Sequence, residues 1–160
     1  MAGFHTKTFL NYDDYMTPRS GWKNIKDYIP KDKVLWEPFY GDGKSGDYLR
    51  ELGFNVIHKK EDFFNNNKGD IVVSNPPFSC KKQVIERLVE LDKPFIIIMP
   101  QNTINNNYIR ELIPDIQIII PRRRIQFIKN GEDGHPKKCN FDCFYYCYKI
   151  GLEKDILFLC

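Results

Sequence analysis

No apolar run in the 160-residue sequence approaches the roughly 20 residues that cross a bilayer. The opening Met1-Ala2-Gly3-Phe4-His5 holds no signal-peptide core, so a soluble cytoplasmic chain with no membrane partner is expected. Cysteine is scarce: Cys80, Cys139, Cys143, Cys147 and Cys160 form an odd set without one Cys-x-x-Cys pair. Three of them recur every four residues behind His135, but residues 141–150 have the pattern of a strand. On a strand, residues four apart sit about 13 Å from one another, too far to share a metal. Reduced, buried thiols and no metal are expected. No repeat or linker divides the chain, so one domain spanning 1–160 is expected. Neither sign of charge dominates, the formal net charge being +3, so bulk charge identifies no partner.

The chain does carry 42% apolar and 14% aromatic residues, enough for a full core. Residues 22–29 have a helical stripe of Trp22, Ile25, Tyr28 and Ile29, stopped by Pro30. A short strand over 33–39 runs into a glycine-rich turn, then a helix over 47–52 and a second strand over 55–58. The β-branched run 71–73 is a third strand, followed by an amphipathic helix over 81–91 with Val84, Ile85, Leu88 and Val89 on one side. A strand over 94–99, a helix over 108–113 and a strand over 116–120 continue the alternation. That order predicts a mostly parallel sheet with right-handed crossovers. Residues 125–128 and 141–150 flank a polar loop and predict an antiparallel hairpin at one side of the sheet, with 155–159 as a final edge.

Two turns carry the chemistry. The run Asp70-Ile71-Val72-Val73-Ser74 ends abruptly in Asn75-Pro76-Pro77-Phe78. Proline cannot donate to a ladder, so the strand stops there and the backbone is held rigid. Asn75 offers a side-chain carbonyl and the prolines offer no N–H, leaving the corner rich in acceptors and poor in donors. Two acceptors aimed at one exocyclic amine hold both its hydrogens and draw its lone pair out of conjugation, while Phe78 stacks on the ring bearing it. In an open α/β sheet such a corner lies where ligands bind, just outside the carboxyl ends of strands.

The second turn, Glu37-Pro38-Phe39-Tyr40-Gly41-Asp42-Gly43, ends the first strand. Its glycines let the backbone approach a ligand closely. Lys44-Ser45 does not make a Walker loop, because proline occupies position 38 where the first glycine is required. Gly41, Gly43 and Gly46 match a dinucleotide spacing, and an NAD enzyme is one alternative, though it leaves Asn-Pro-Pro-Phe without a use.

Together these segments resemble the class I S-adenosylmethionine-dependent methyltransferases, in their N6-adenine branch and in a small phage- or virus-like form without a target-recognition domain. The loop 37–43 is similar to the family's acidic-x-Phe-x-Gly-x-Gly cofactor loop. Tyr15-Met16-Thr17-Pro18 resembles its Tyr-x-Thr-Pro element, Glu61-Asp62-Phe63-Phe64 its Asp-Phe-Phe segment, and residues 75–78 its catalytic signature. The resemblance implies a Rossmann-like fold and S-adenosylmethionine as cofactor. It implies that Glu37, Gly41 and Gly43 hold the methionine moiety beside Pro38 and Phe39, with Tyr15, Thr17 and Pro18 closing over it. Asp62 would accept from the cofactor's adenine amine, with Phe63 beside that ring. Asn75, Pro76 and Pro77 would form the catalytic corner and grip the target amine, and Phe78 would stack on the target base.

Two departures stand out. Where the family ends its second strand with a ribose-binding acid, this chain reads His58-Lys59-Lys60, so either Glu61 substitutes or ribose recognition weakens. The chain also has no room for a target-recognition domain, so a sequence-specific restriction-type enzyme is not expected unless a partner subunit supplies the reading surface. Arg122, Arg123, Arg124, Lys137 and Lys138 are expected to touch phosphates of a nucleic-acid partner, RNA or DNA. The target adenine must then be single-stranded or flipped. A protein glutamine N5-methyltransferase and a catalytically silent binding subunit are the remaining alternatives.

Overall fold

The computed structural model describes residues 15–129 and 141–160. In chain order the elements are β1 (Tyr15–Met16), α1 (Arg19–Lys23), β2 (Val34–Trp36), α2 (Lys44–Glu51), β3 (Asn55–Ile57) and β4 (Ile71–Ser74). They continue with α3 (Lys81–Leu91), β5 (Phe95–Pro100), α4 (Asn107–Leu112), β6 (Gln117–Ile120), β7 (Ile128–Lys129), β8 (Cys143–Tyr148) and β9 (Ile156–Phe158).

Among the described residues, seven strands form one sheet in the order β3-β2-β4-β5-β8-β6-β9. The pairs β2–β3, β2–β4, β4–β5 and β6–β9 are parallel; β8 runs antiparallel to both neighbours. Both β5 and β6 oppose β8, so β6 points the same way as β2, β4 and β5, and their carboxyl ends share one rim. The chain leaves β2 outward to β3 and returns across it to β4. The crossover reverses between β2 and β4, and in such sheets that reversal opens the ligand crevice.

Alternation along the strands feeds two core layers. Leu35, Ile71, Val73, Ile96, Ile98 and Tyr145 pack with Trp22 of α1 and Leu49 of α2 on one face. Trp36, Val72, Phe95, Ile97, Met99 and Tyr146 pack with Val84, Ile85 and Leu88 of α3 and Ile109 of α4 on the other. The central strands are therefore apolar on both faces, as a covered sheet requires. Cys143 and Cys147 lie on the Tyr145 face of β8, buried and reduced. Burial pushes the Cys147 thiol up to about 12.

Three details differ from expectation. The late strands do not pair as a hairpin: β7 pairs with β1 in a separate two-stranded ribbon, while β8 inserts between β5 and β6. The physical reason lies in Cys143–Tyr148, whose two faces are both apolar and aromatic and so suit an interior strand. The stripe at 22–29 splits into α1 and a short 3-10 turn over Lys26–Tyr28. The helix after the glycine turn starts at Lys44 rather than 47, its N-cap Gly43 holding φ +84°, a left-handed value that glycine adopts freely. The stretch 155–159 does form the edge, as β9. No helix among the described residues is long and apolar enough to cross a membrane.

Candidate active site

Glu37 leaves the carboxyl end of β2 and turns inward. It is 1% exposed. The Ser74 hydroxyl donates to its Oε1, as does the Phe39 amide at 3.1 Å; the Ser45 hydroxyl donates to Oε2 at 3.0 Å. Ser45 in turn accepts from the Trp22 indole at 2.8 Å. One carboxyl thus ties β2, β4, α1 and α2 together at the switch point. Desolvation outweighs its hydrogen bonds and raises its pKa to about 7.

The Asn75 corner stands beside it at the carboxyl end of β4. Pro77 is extended (φ −60°, ψ 131°), and a 3-10 turn over Phe78–Cys80 leads into α3. The Asn75 Nδ2 donates to the Tyr15 carbonyl at 3.3 Å, which directs Oδ1 the opposite way. That oxygen is buried and has no hydrogen-bond partner among the described residues. The same two-residue strand reaches the glycine turn: a Cβ on Gly41, whose φ is +59°, would lie 2.8 Å from Met16 Sδ. Gly41 and Asn75 therefore both lie against the β1 strap, beyond the carboxyl ends of β2 and β4.

Phe78 has an aromatic setting. Phe141 meets it edge-on at 5.7 Å, meets Tyr15 edge-on at 5.2 Å, and stacks on Phe127 at 5.5 Å. On the other flank Phe39 packs on Phe63 at 5.1 Å, and Phe63 on Trp36 at 5.5 Å. Asp62 caps the following 3-10 turn, accepting from the Phe64 amide at 2.9 Å and from the Asn65 side chain.

His58 stands just past the end of β3, where the sequence lacks the expected acid. Its ring stacks on Tyr40 at 4.8 Å, and burial lowers its pKa. A neutral ring donates Nδ1–H to the Glu37 carbonyl, 2.8 Å away. Its Nε2 is buried and has no hydrogen-bond partner among the described residues. Glu61 accepts from Lys68 at 2.7 Å through Oε1, and its Oε2 is likewise buried without a partner. Thr17 Oγ1 completes the set. Folded proteins leave few buried polar atoms unmatched. Of the six such side-chain atoms among the described residues, those of Thr17, His58, Glu61 and Asn75 belong to segments of this rim. Their donor and acceptor chemistry fits a ligand with an amine, a carboxylate and ribose hydroxyls.

The structure thus brings together Tyr15, Thr17, Pro18, Glu37, Pro38, Phe39, Gly41, Gly43, Asn75, Pro76, Pro77 and Phe78, with Asp62 and Phe63 behind Phe39. Glu37 is committed to Ser45 and Ser74, an internal role the sequence did not reveal. Arg122, Arg123 and Arg124 follow β6 on the same rim. Lys137 and Lys138 lie outside the described residues. Sequence reasoning missed Phe127 and Phe141, because only the folded chain brings residues 15, 78, 127 and 141 into one cluster.

Residues 57–126 match the family model of the adenine-specific methyltransferase EcoRI. The stretch includes Asp62, Phe63, the Asn75 corner and the three arginines, and excludes the Gly41 turn. The type II methyltransferase M.EcoRI of Escherichia coli is 41% identical over 87 residues, which are 54% of this chain and 23% of that protein. The chain therefore spans about a quarter of that relative's length. A solved structure of PH1948 from Pyrococcus horikoshii, described as a candidate RNA methyltransferase, superimposes with a TM-score of 0.54 at 18% identity. The overlap covers 89% of this chain and 88% of that one. The fold is that of the Rossmann-like class I methyltransferases.

Proposed function

We propose that this chain transfers a methyl group from S-adenosylmethionine to the exocyclic N6 amine of adenine in nucleic acid. The observation that carries this reading is the unpartnered Asn75 Oδ1, held in place through Tyr15 on the strand that also meets Gly41. The adenine-specific family match over this corner favours adenine over a glutamine side chain as the acceptor.

The cofactor supplies an already activated methyl, so the protein's work is alignment and charge placement. Asn75 Oδ1 and the Pro76 carbonyl accept from the target amine. These hydrogen bonds strengthen as the nitrogen turns cationic, so they favour the transition state over the ground state. Phe78, steadied by Phe141, offers its ring to the base. Gly41 and Gly43 bring bare backbone to the methionine end of the cofactor, and Thr17 Oγ1 serves its carboxylate side. Asp62 and Phe63 serve the adenine end, and Glu61 Oε2 and His58 Nε2 are acceptors for ribose hydroxyls in place of the absent acid. Glu37 acts behind these groups, holding Ser74 and hence the corner in register with the glycine turn.

The test is nucleoside mass spectrometry after incubation with cofactor and mixed RNA, single-stranded DNA and a glutamine peptide. N6-methylated adenine is expected from the wild type, falling about 100-fold in Asn75→Ala, the order of loss when one charge-stabilising group is removed. Methyl on the peptide alone would overturn the reading.

A further inference from the structure

The segment after β6 has a shape that its charge alone does not explain. Arg122, Arg123 and Arg124 are exposed and form a ridge with a depression on either side. On the α1 side the groove measures about 420 Å3 and is lined by the arginines together with Ser20, Asn24 and Gln126. On the β5 side a smaller one of about 180 Å3 is lined by Gln101, Asp142 and Phe144. Arg124 is fixed to Asp142 by two bonds, Nε to Oδ1 at 2.9 Å and an Nη to Oδ2 at 3.0 Å. Asp142 follows Phe141, the ring that meets Phe78. The ridge is thus pinned next to the aromatic cluster, while Arg122 and Arg123 make no ion pair among the described residues.

The strand order gives the distance. From β4 to β6 there are three steps, β5, β8 and β6, or about 14 Å along the rim at the usual strand spacing. A solvated charge run needs no concavity. Here planar guanidiniums line a groove whose wall holds the Ser20 hydroxyl and the Asn24 and Gln126 amides as further donors, with Pro121, Ile125, Leu159 and Cys160 completing it. Guanidinium forks match phosphate oxygens in pairs, and neutral amides and hydroxyls complete a phosphate's acceptor shell.

We infer that this groove seats the phosphodiester backbone of the strand that carries the target adenine, so that the strand leaves the active site on the β6 side. The inference rests on the reading of nucleic acid as substrate. Arg122 and Arg123 supply the mobile charge, Arg124 holds the ridge, and Ser20 and Asn24 donate from the far wall.

The experiment uses short single-stranded oligonucleotides with one adenine among pyrimidines, in ribose and deoxyribose forms, followed by fluorescence anisotropy over a salt series. In Arg122→Glu/Arg123→Glu the slope of log affinity against log salt becomes shallower by about 1.4, near 0.7 for each phosphate that is no longer neutralised on a single strand. Arg122→Lys/Arg123→Lys retains most of the slope. The unfolding midpoint and calorimetric affinity for S-adenosylmethionine stay at wild-type values in both, which separates loss of the groove from loss of the fold. Replacing single phosphates by neutral methylphosphonates weakens wild-type binding at linkages on one side of the adenine only, and the glutamate variant does not respond there. Methyl transfer with an unchanged slope and no one-sided response overturns the groove alone. The predicted binding pattern without methyl transfer to adenine overturns the substrate reading alone.

Discussion

Glu37 places an ionisable carboxyl at the centre of the molecule, and its chemistry sets a pH dependence with a definite sign. Its folded pKa of about 7 lies above the ordinary 4.5, so the folded state binds the proton more tightly than the unfolded chain. The associated stability is complete below pH 4.5 and is lost as pH rises through 7. A displacement of that size corresponds to roughly 3 kcal/mol across the window. Urea unfolding at pH 5 and pH 8 should show the wild type losing stability as pH rises, with Glu37→Gln nearly flat. At this scale the sequence was informative about chemistry and silent about orientation. Asn75 and Gly41 could be picked out because proline and glycine dictate their own backbone. That Glu37 faces Ser74 could not, since the partner lies 37 positions away on another strand.

Among the elements, α2 shows a local preference overridden by packing. Exchanging Gly46 for alanine in an exposed helix gains up to about 1 kcal/mol. Here a Cβ would stand 2.5 to 2.7 Å from Cδ2, Cγ and Cβ of His58, whose ring stacks on Tyr40. At those distances His58 must shift against the ring stacked on it, so Gly46→Ala is expected to destabilise by about 1–3 kcal/mol, read from the unfolding midpoint. Helix α3 was legible from the spacing of Val84, Ile85 and Leu88, and all three are buried. Strand β8 was visible as a strand and misread as half of a hairpin. Its clue was present in the residues: Phe144, Tyr145 and Tyr146 put large rings on both faces, which an edge strand at a solvent boundary avoids. The two-residue β1 and β7 carry no periodicity to detect.

For the molecule as a whole, β8 closes the sheet by joining β5 to β6, and through β6 to β9. A chain ended at residue 140 keeps β2 to β5 but loses the strand that holds β6, together with the buried Tyr145 and Tyr146. It should lose its sharp urea transition by circular dichroism, whereas a chain lacking only Ile156–Phe158 should keep one. The α/β alternation foretold the parallel half of the sheet and the rim on which ligands collect, because those follow from local pattern and crossover handedness. Strand order beyond β5 did not follow, being settled by which late segment is apolar on both sides. The strap that β1 forms over Asn75 and Gly41 has a practical consequence. Tyr15 steadies the amide proposed to select the acceptor, and the adjacent Met16 lies on the glycine proposed to admit the donor. Under the proposed function, donor tolerance and base choice are mechanically geared through this strap, so that widening one for a bulkier alkyl group retunes the other.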